Sequence, residues 1–138
     1  METLPLNGLP PELDGPGSLA SRMGIEIVDN DPNHLVATMP VAGNRQPYGL
    51  LHGGASCVLA ETVGSIGAAM YAARAHGGYA VGVDINATHH KSARSGVVTG
   101  VATPLRLGSS IASYEIVLTD DDGDRICTAR LTSAVRRP

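Results

Sequence analysis

Glu61 is the one charged residue in the run from Gly53 to Ala73, GGASCVLAETVGSIGAAMYAA. A carboxylate set among small and apolar side chains is rare unless it is ion-paired, hydrogen-bonded or functional. Taken alone, it reads first as a structural acid bonded to a neighbour. Its surroundings add a second part. His52-Gly53-Gly54 stands where a helix would begin, so backbone N–H groups there lack intrahelical partners and the helix dipole adds positive potential. Such a terminus can hold a developing oxyanion. A carboxylate and an oxyanion-type donor set on one element are the parts needed to hydrolyse an activated acyl group.

The elements that must position these parts are a loop and a long helix. Asn44 to Leu51 carries Pro47 and Gly49 among polar residues and reads as loop, whereas no Pro interrupts the chain from Gly53 to Arg74. Val58, Leu59, Thr62, Val63, Ile66, Ala69 and Met70 recur at helical spacing, and Ser56, Ala60, Gly64, Ser65, Gly67 and Ala68 on the other side are all small. A helix of this kind is expected to be enclosed closely by other structure, with Glu61 held inside. Its length of roughly 30 Å would span a bilayer, but an acid at its centre and frequent Ser and Gly argue against a membrane helix.

Met1 to Gly17 holds Pro5, Pro10, Pro11 and Pro16 with three glycines and reads as a tail or surface strap. Ser18 can cap a short helix through Met23, stopped by Gly24. Ile25 to Asp29 and Leu35 to Val41 read as strands around an Asn30-Asp31-Pro32-Asn33 turn. After His76-Gly77-Gly78, Val81, Val83 and Ile85 alternate with smaller or polar residues in a half-buried strand over Tyr79 to Ala87. Val97 to Leu105, Ser110 to Thr119 and Arg125 to Val135 follow as an antiparallel meander with short connections. The order predicts an α+β domain, one six-stranded sheet wrapped over one helix. The strand Tyr79 to Ala87 carries few charges and is expected to pair with its copy in a homodimer.

At 138 residues the chain is one domain. A net charge of −3 argues against a general nucleic-acid binder, and without Phe or Trp it has few stacking platforms for single strands. Cys57 and Cys127 belong to no C-x-x-C pair, so zinc and dithiol redox chemistry find no support, and both read as buried small hydrophobes. No phosphate-binding G-x-x-x-x-G-K occurs, which excludes nucleotide hydrolysis. The N-terminus shows neither a basic region nor an apolar core, so a cytoplasmic protein is expected.

The run QPYGLLHGGASCVLAETVGS, with Gln46 six residues before His52 and Glu61 nine after it, resembles the hotdog-fold acyl-CoA thioesterases of the 4-hydroxybenzoyl-CoA thioesterase superfamily. The likeness extends from Met23 to Val135. Asn86-Ala87-Thr88-His89-His90, Pro104-Leu105-Arg106-Leu107-Gly108 and Arg130-Leu131-Thr132 are similar to the branch of the bacterial 1,4-dihydroxy-2-naphthoyl-CoA thioesterase and the proofreading thioesterase of enterobactin synthesis. The resemblance implies a hotdog fold over residues 18–138, dimerising through a sheet edge and assembling into tetramers.

The same resemblance implies residue roles. Glu61 would be the catalytic carboxylate, attacking the thioester carbonyl or activating a water, two roles between which sequence does not choose. Gly53 N–H would polarise the thioester oxygen, Gln46 would orient carbonyl or water, and His52 would hold the loop or touch substrate. Ser65, four residues after Glu61, would position the water, or serves only close helix packing. For the phosphates of CoA the candidates are His89, His90, Lys91, Arg94, Arg106, Ser109 and Ser110, each of which also reads as ordinary solvated surface. Adjacent His89 and His90 on a strand point to opposite faces and make a poor metal pair. Neither a metal nor a cofactor is expected, CoA being part of the substrate. Tyr48, Tyr71, Leu50, Leu51, Val63, Ile66 and Met70 are candidates for an acyl pocket that fits an aromatic or a medium aliphatic chain, the branch favouring the aromatic one. The alternatives are a hotdog hydratase or dehydratase and a non-catalytic acyl-CoA-binding protein.

Overall fold

The elements follow in the order α1 Leu19–Met23, β1 Glu26–Asp31, β2 His34–Pro40, α2 Gly53–His76, β3 Tyr79–His89, β4 Val97–Leu107, β5 Ile111–Thr119 and β6 Arg125–Arg136. The computed structural model describes residues 18–138, and the expected N-terminal strap lies outside the described residues. Ser18 Oγ accepts from Ser21 N–H to start α1, and Gly24, at φ 74°, ends it. β1 runs on through Asp31, so the turn into β2 is only Pro32-Asn33, tightened by Asn33 N–H donating to Asp31 Oδ1 at 2.8 Å. An Asx bond supplies the turn that the longer expected loop would have made.

All six strands form one antiparallel sheet in the order β1-β2-β4-β5-β6-β3. β4, β5 and β6 are the expected meander. β3 lies at the far edge, paired with β6 from Tyr79 opposite Arg136 to His89 opposite Cys127, with a bulge between Gly82 and Asp84. The sheet curls around α2, and Tyr114, Ile116, Leu118 and Leu131 point from it into the core. By length and composition α2 could cross a membrane, but more than half of its most apolar stretch is buried in the fold.

The side of α2 that the sheet grips corrects the expected picture. Ser56, Ala60, Gly64, Gly67 and Ala68 are buried along with Leu59, Val63 and Met70 of the apolar stripe, because the sheet approaches the helix closely where side chains are smallest. A Cβ at Gly67 would lie 2.8 Å from the Tyr114 ring, and one at Gly64 would lie 2.7 Å from Leu131. The opposite stripe, with Val58, Thr62, Ser65, Ile66 and Ala69, is only half-buried and Glu61 is exposed. The six strands cover that stripe only in part: Val58 and Ile66 pack at the margin of the core, and Glu61 stands exposed beside β3.

Candidate active site

The loop from β2 to α2 is held together by hydrogen bonds among its own polar groups. Asn44 is buried, and its Nδ2 donates to the carbonyls of Met23 and Pro40, both at 2.8 Å. Its own carbonyl accepts from His52 N–H at 2.9 Å. One residue thus joins the end of α1, the end of β2 and the start of α2. Gln46 N–H donates to Leu50 O at 2.8 Å, and Gly49, at φ 82°, closes the turn onto Gln46 O. Gln46 Oε1 accepts from the N–H groups of Tyr48 and Leu50. Its oxygen is consumed inside the loop, which leaves Nε2 as a hydrogen-bond donor.

His52 is the N-cap of α2, and its Nδ1 accepts from Gly54 N–H at 2.8 Å. That bond satisfies one orphan donor of the helix start. Gly53 N–H donates to no acceptor among the described residues. Of the His52-Gly53-Gly54 donors, Gly53 is therefore the one left for a ligand. His89 lies over it: a Cβ at position 53 would stand 3.0 Å from His89 Nε2.

A cleft of about 310 Å³ opens at this point, lined by Gln46, Leu50, Leu51, Gly53, Ser56, His89, His90, Lys91, Ser92, Ala93 and Ile126. His89 and His90 both reach it, contrary to the opposite-face expectation, because β3 ends at His89 and the alternation ends with it. His90 Nε2 bonds Thr128 Oγ1 at 2.9 Å. Glu61 is not part of the lining. It stands on the open stripe of α2, its Oε1 3.6 Å from where a Cβ of Gly82 on β3 would be. The enclosed carboxylate expected from sequence is instead an exposed one beside the edge strand. Eight residues of helix place it about 12 Å along the axis from Gly53. Ser65, half-buried, shares its stripe.

The expected phosphate-binding residues divide into three groups. His89, His90 and Lys91 line the cleft, but the Lys91 ammonium is held by Asp120 and Asp124 at 2.7 and 2.6 Å. Those bonds drive its pKa well up and hold that of Asp120 down. Arg94 lies outside the lining, and its carbonyl accepts from the Arg45 guanidinium at 3.0 Å. Arg106, Ser109 and Ser110 sit at the other end of α2, where Tyr71 OH donates to Gly108 O at 2.8 Å. Tyr71 is about 27 Å along the helix from Gly53, so within one chain those three do not meet the cleft.

The acyl-pocket candidates separate in the same way. Leu50 and Leu51 line the cleft and Ile66 lies on the open stripe, but Val63 and Met70 are buried core. Tyr48, at the loop tip, is 86% exposed. Cys127 is buried as expected, and burial, with Cys57 nearby, pushes its thiol up to about 11. Cys57 is only half-buried, short of the burial expected for it. Sequence reasoning missed the structural role of Asn44, whose only signal was a polar residue directly before the motif loop. It also missed the pairing of Lys91 with the acidic turn, which has no local signal.

One antiparallel sheet curled on a single long helix, with an unpaired amide donor at the start of that helix, defines a hotdog-fold thioester hydrolase. The chain belongs to the Thioesterase superfamily, whose family model matches residues 48–127. It is 47% identical over 120 residues to the proofreading thioesterase EntH of Cronobacter turicensis, a span of 86% of each chain. A thioesterase structure from Haemophilus influenzae is similar at a TM-score of 0.84 and 39% identity, covering 99% of this chain and 93% of that one. A Staphylococcus aureus thioesterase, 32% identical at a TM-score of 0.80 over 87% of this chain and 98% of its own, was crystallised as a Gln→Ala variant. A Glu→Ala variant of the same protein was also crystallised.

Proposed function

We propose that the chain hydrolyses acyl-CoA thioesters to the free acid and CoA, in a site shared by two copies. Water adds across the acyl C–S bond, its oxygen ending on the carbonyl carbon and a proton on the CoA sulfur. Gly53 N–H and the Gln46 amide of one copy hold the carbonyl oxygen as negative charge develops on it. Glu61 of the other copy attacks the carbonyl or takes the proton of the attacking water, with Ser65 beside it.

The observation that carries this reading is the separation of Glu61 from the cleft. A carboxylate about 12 Å along the helix from Gly53 N–H cannot serve the same carbonyl carbon, yet it stands next to β3, an open sheet edge. A second copy paired along β3 would arrive at Glu61. The spacing in the S. aureus thioesterase gives further support: the Gln and the Glu replaced there lie as far apart in sequence as Gln46 and Glu61 do here. The acyl group would meet Leu50 and Leu51 of one copy and Ile66 of the other. An aromatic, hydroxyaryl-type acyl chain is the first candidate, in keeping with the likeness to a proofreading thioesterase.

The test is free-thiol release from a panel that includes benzoyl-CoA, a hydroxybenzoyl-CoA and crotonyl-CoA. Hydrolysis is expected with the aryl thioesters fastest, and Glu61→Gln should lower kcat by about 10²–10⁴ with the protein still folded. Double-bond chemistry on crotonyl-CoA without thiol release, or an active Glu61→Gln variant, would overturn it.

A further inference from the structure

The turn Asp120-Asp121-Asp122-Gly123-Asp124 clasps both ends of the connection between β3 and β4. At one end, Lys91 Nζ donates to Asp120 Oδ2 and Asp124 Oδ2. At the other, Asp121 Oδ2 accepts from Val97 N–H at 3.2 Å, and a Cβ at Gly96 would collide with that carboxylate. The turn is itself braced, since Asp120 Oδ1 accepts from the N–H groups of Asp122 and Asp124, both at 3.0 Å. The middle of the connection supports the catalytic loop: Leu51 N–H donates to Ala93 O at 2.8 Å and Arg45 holds Arg94 O. Lys91 N–H and His90 N–H both donate to Ile126 O. A continuous set of bonds therefore runs from the acidic turn, through Lys91 to Ala93, to the loop that ends at Gly53.

We propose that Lys91 is a positioning residue: tied to Asp120 and Asp124, it fixes the His89–Ala93 wall of the cleft against the β5–β6 turn and does not bind a substrate phosphate. This rests on the cleft being the thioesterase site. With two carboxylates at bonding distance, the ammonium has its charge neutralised locally, so a phosphate would gain little from it. A wall displaced by a fraction of an ångström would misplace His89 over Gly53, and small misplacements reduce the rate steeply.

The experiment compares benzoyl-CoA with benzoyl-N-acetylcysteamine, a thioester without phosphates, in wild type and in Lys91→Met, Lys91→Arg and Asp124→Asn. Activity of the wild type on both thioesters tests the site itself. Given that activity, Lys91→Met and Asp124→Asn should each lower kcat by roughly tenfold, by the same factor on both substrates, while Lys91→Arg retains most of it. Asp124 is exposed, so its variant keeps the test available should Lys91→Met fail to fold. A rise in KM confined to benzoyl-CoA in Lys91→Met, with kcat unchanged, would overturn the proposal in favour of a phosphate contact. Unchanged kinetics in both variants would overturn it as well.

Discussion

The constraint on Gly53 comes from a neighbour across space, since its backbone is not in the left-handed region and His89 stands 3.0 Å from its missing Cβ. Gly53→Ala would push the imidazole off the cleft floor or tilt the N–H that faces it. We expect kcat/KM to fall by roughly tenfold to a hundredfold with the melting temperature little changed. Benzoyl-CoA kinetics beside a thermal melt would check this, and an unchanged kcat/KM would remove Gly53 from the site. The Lys91–Asp120 pairing carries a pH prediction whose sign follows from its shifts. Asp120 is depressed by Lys91, so its contribution is present above the ordinary Asp value near 4 and is lost only as pH falls through the lower folded value. Lys91 is raised, so its contribution is complete below about pH 10 and is lost only as pH rises through the higher folded value. Between pH 5 and 9 the clasp is constant, and Asp120→Asn should lower the pH–rate profile without moving either limb. A displaced limb in that variant would show that the clasp titrates with the reaction.

At the scale of elements, order and type were legible because period-two and helical patterns are local properties of the chain. All six strands and both helices stand where the patterns put them. The buried side of α2 was legible in part: Leu59, Val63 and Met70 of the apolar stripe are core, but the small residues beside them are buried as well, which an apolar stripe alone does not mark. Here the sheet needs the glycines in order to come close, and Val58 and Ile66 lie half-buried at the margin of the core. Gly67→Ala should therefore destabilise despite the better helix propensity of Ala. The Tyr114 ring it would meet is pinned by its hydroxyl, which donates to Pro32 O at 2.6 Å, and overpacking of about 1–3 kcal/mol exceeds the gain of about 1. Denaturant midpoints would show it, and an equal or higher midpoint would mean that the ring can move. Tyr114 also sets an alkaline limit. Burial, with Asp31 nearby, pushes it up to about 12. Its contribution to stability is thus complete below the ordinary Tyr value near 10 and is lost as pH rises towards 12. Tyr114→Phe should weaken this alkaline loss while costing about 1–3 kcal/mol at neutral pH through the unpaired Pro32 carbonyl.

For the molecule as a whole, it was legible that Gln46 and Gly53 lie close together, with His52 capping the helix between them, because they share a short run of chain that folds on itself. Arg106, Ser109 and Ser110 were not separable from it by sequence, since only the length of α2 shows that they lie at its other end. The role proposed for Glu61 depends on something larger than the chain. The edge strand β3 exposes Tyr79, Val81 and Val83, the last 63% exposed, alongside the open stripe of α2. An unprotected apolar edge of this length invites a partner strand, and a copy of itself is always present. Val83→Lys should yield a folded monomer by sedimentation and lose hydrolysis together with the partner. A second measurement separates loss of the shared site from simple damage. Glu61→Gln chains and Gly53→Val chains, each inactive alone, would be unfolded together and refolded. If each site takes Gly53 from one copy and Glu61 from the other, random pairing restores one intact site in half of the dimers, about a quarter of wild-type activity. If both residues serve one chain's own site, the mixture stays as inactive as its components and the two-copy arrangement is wrong.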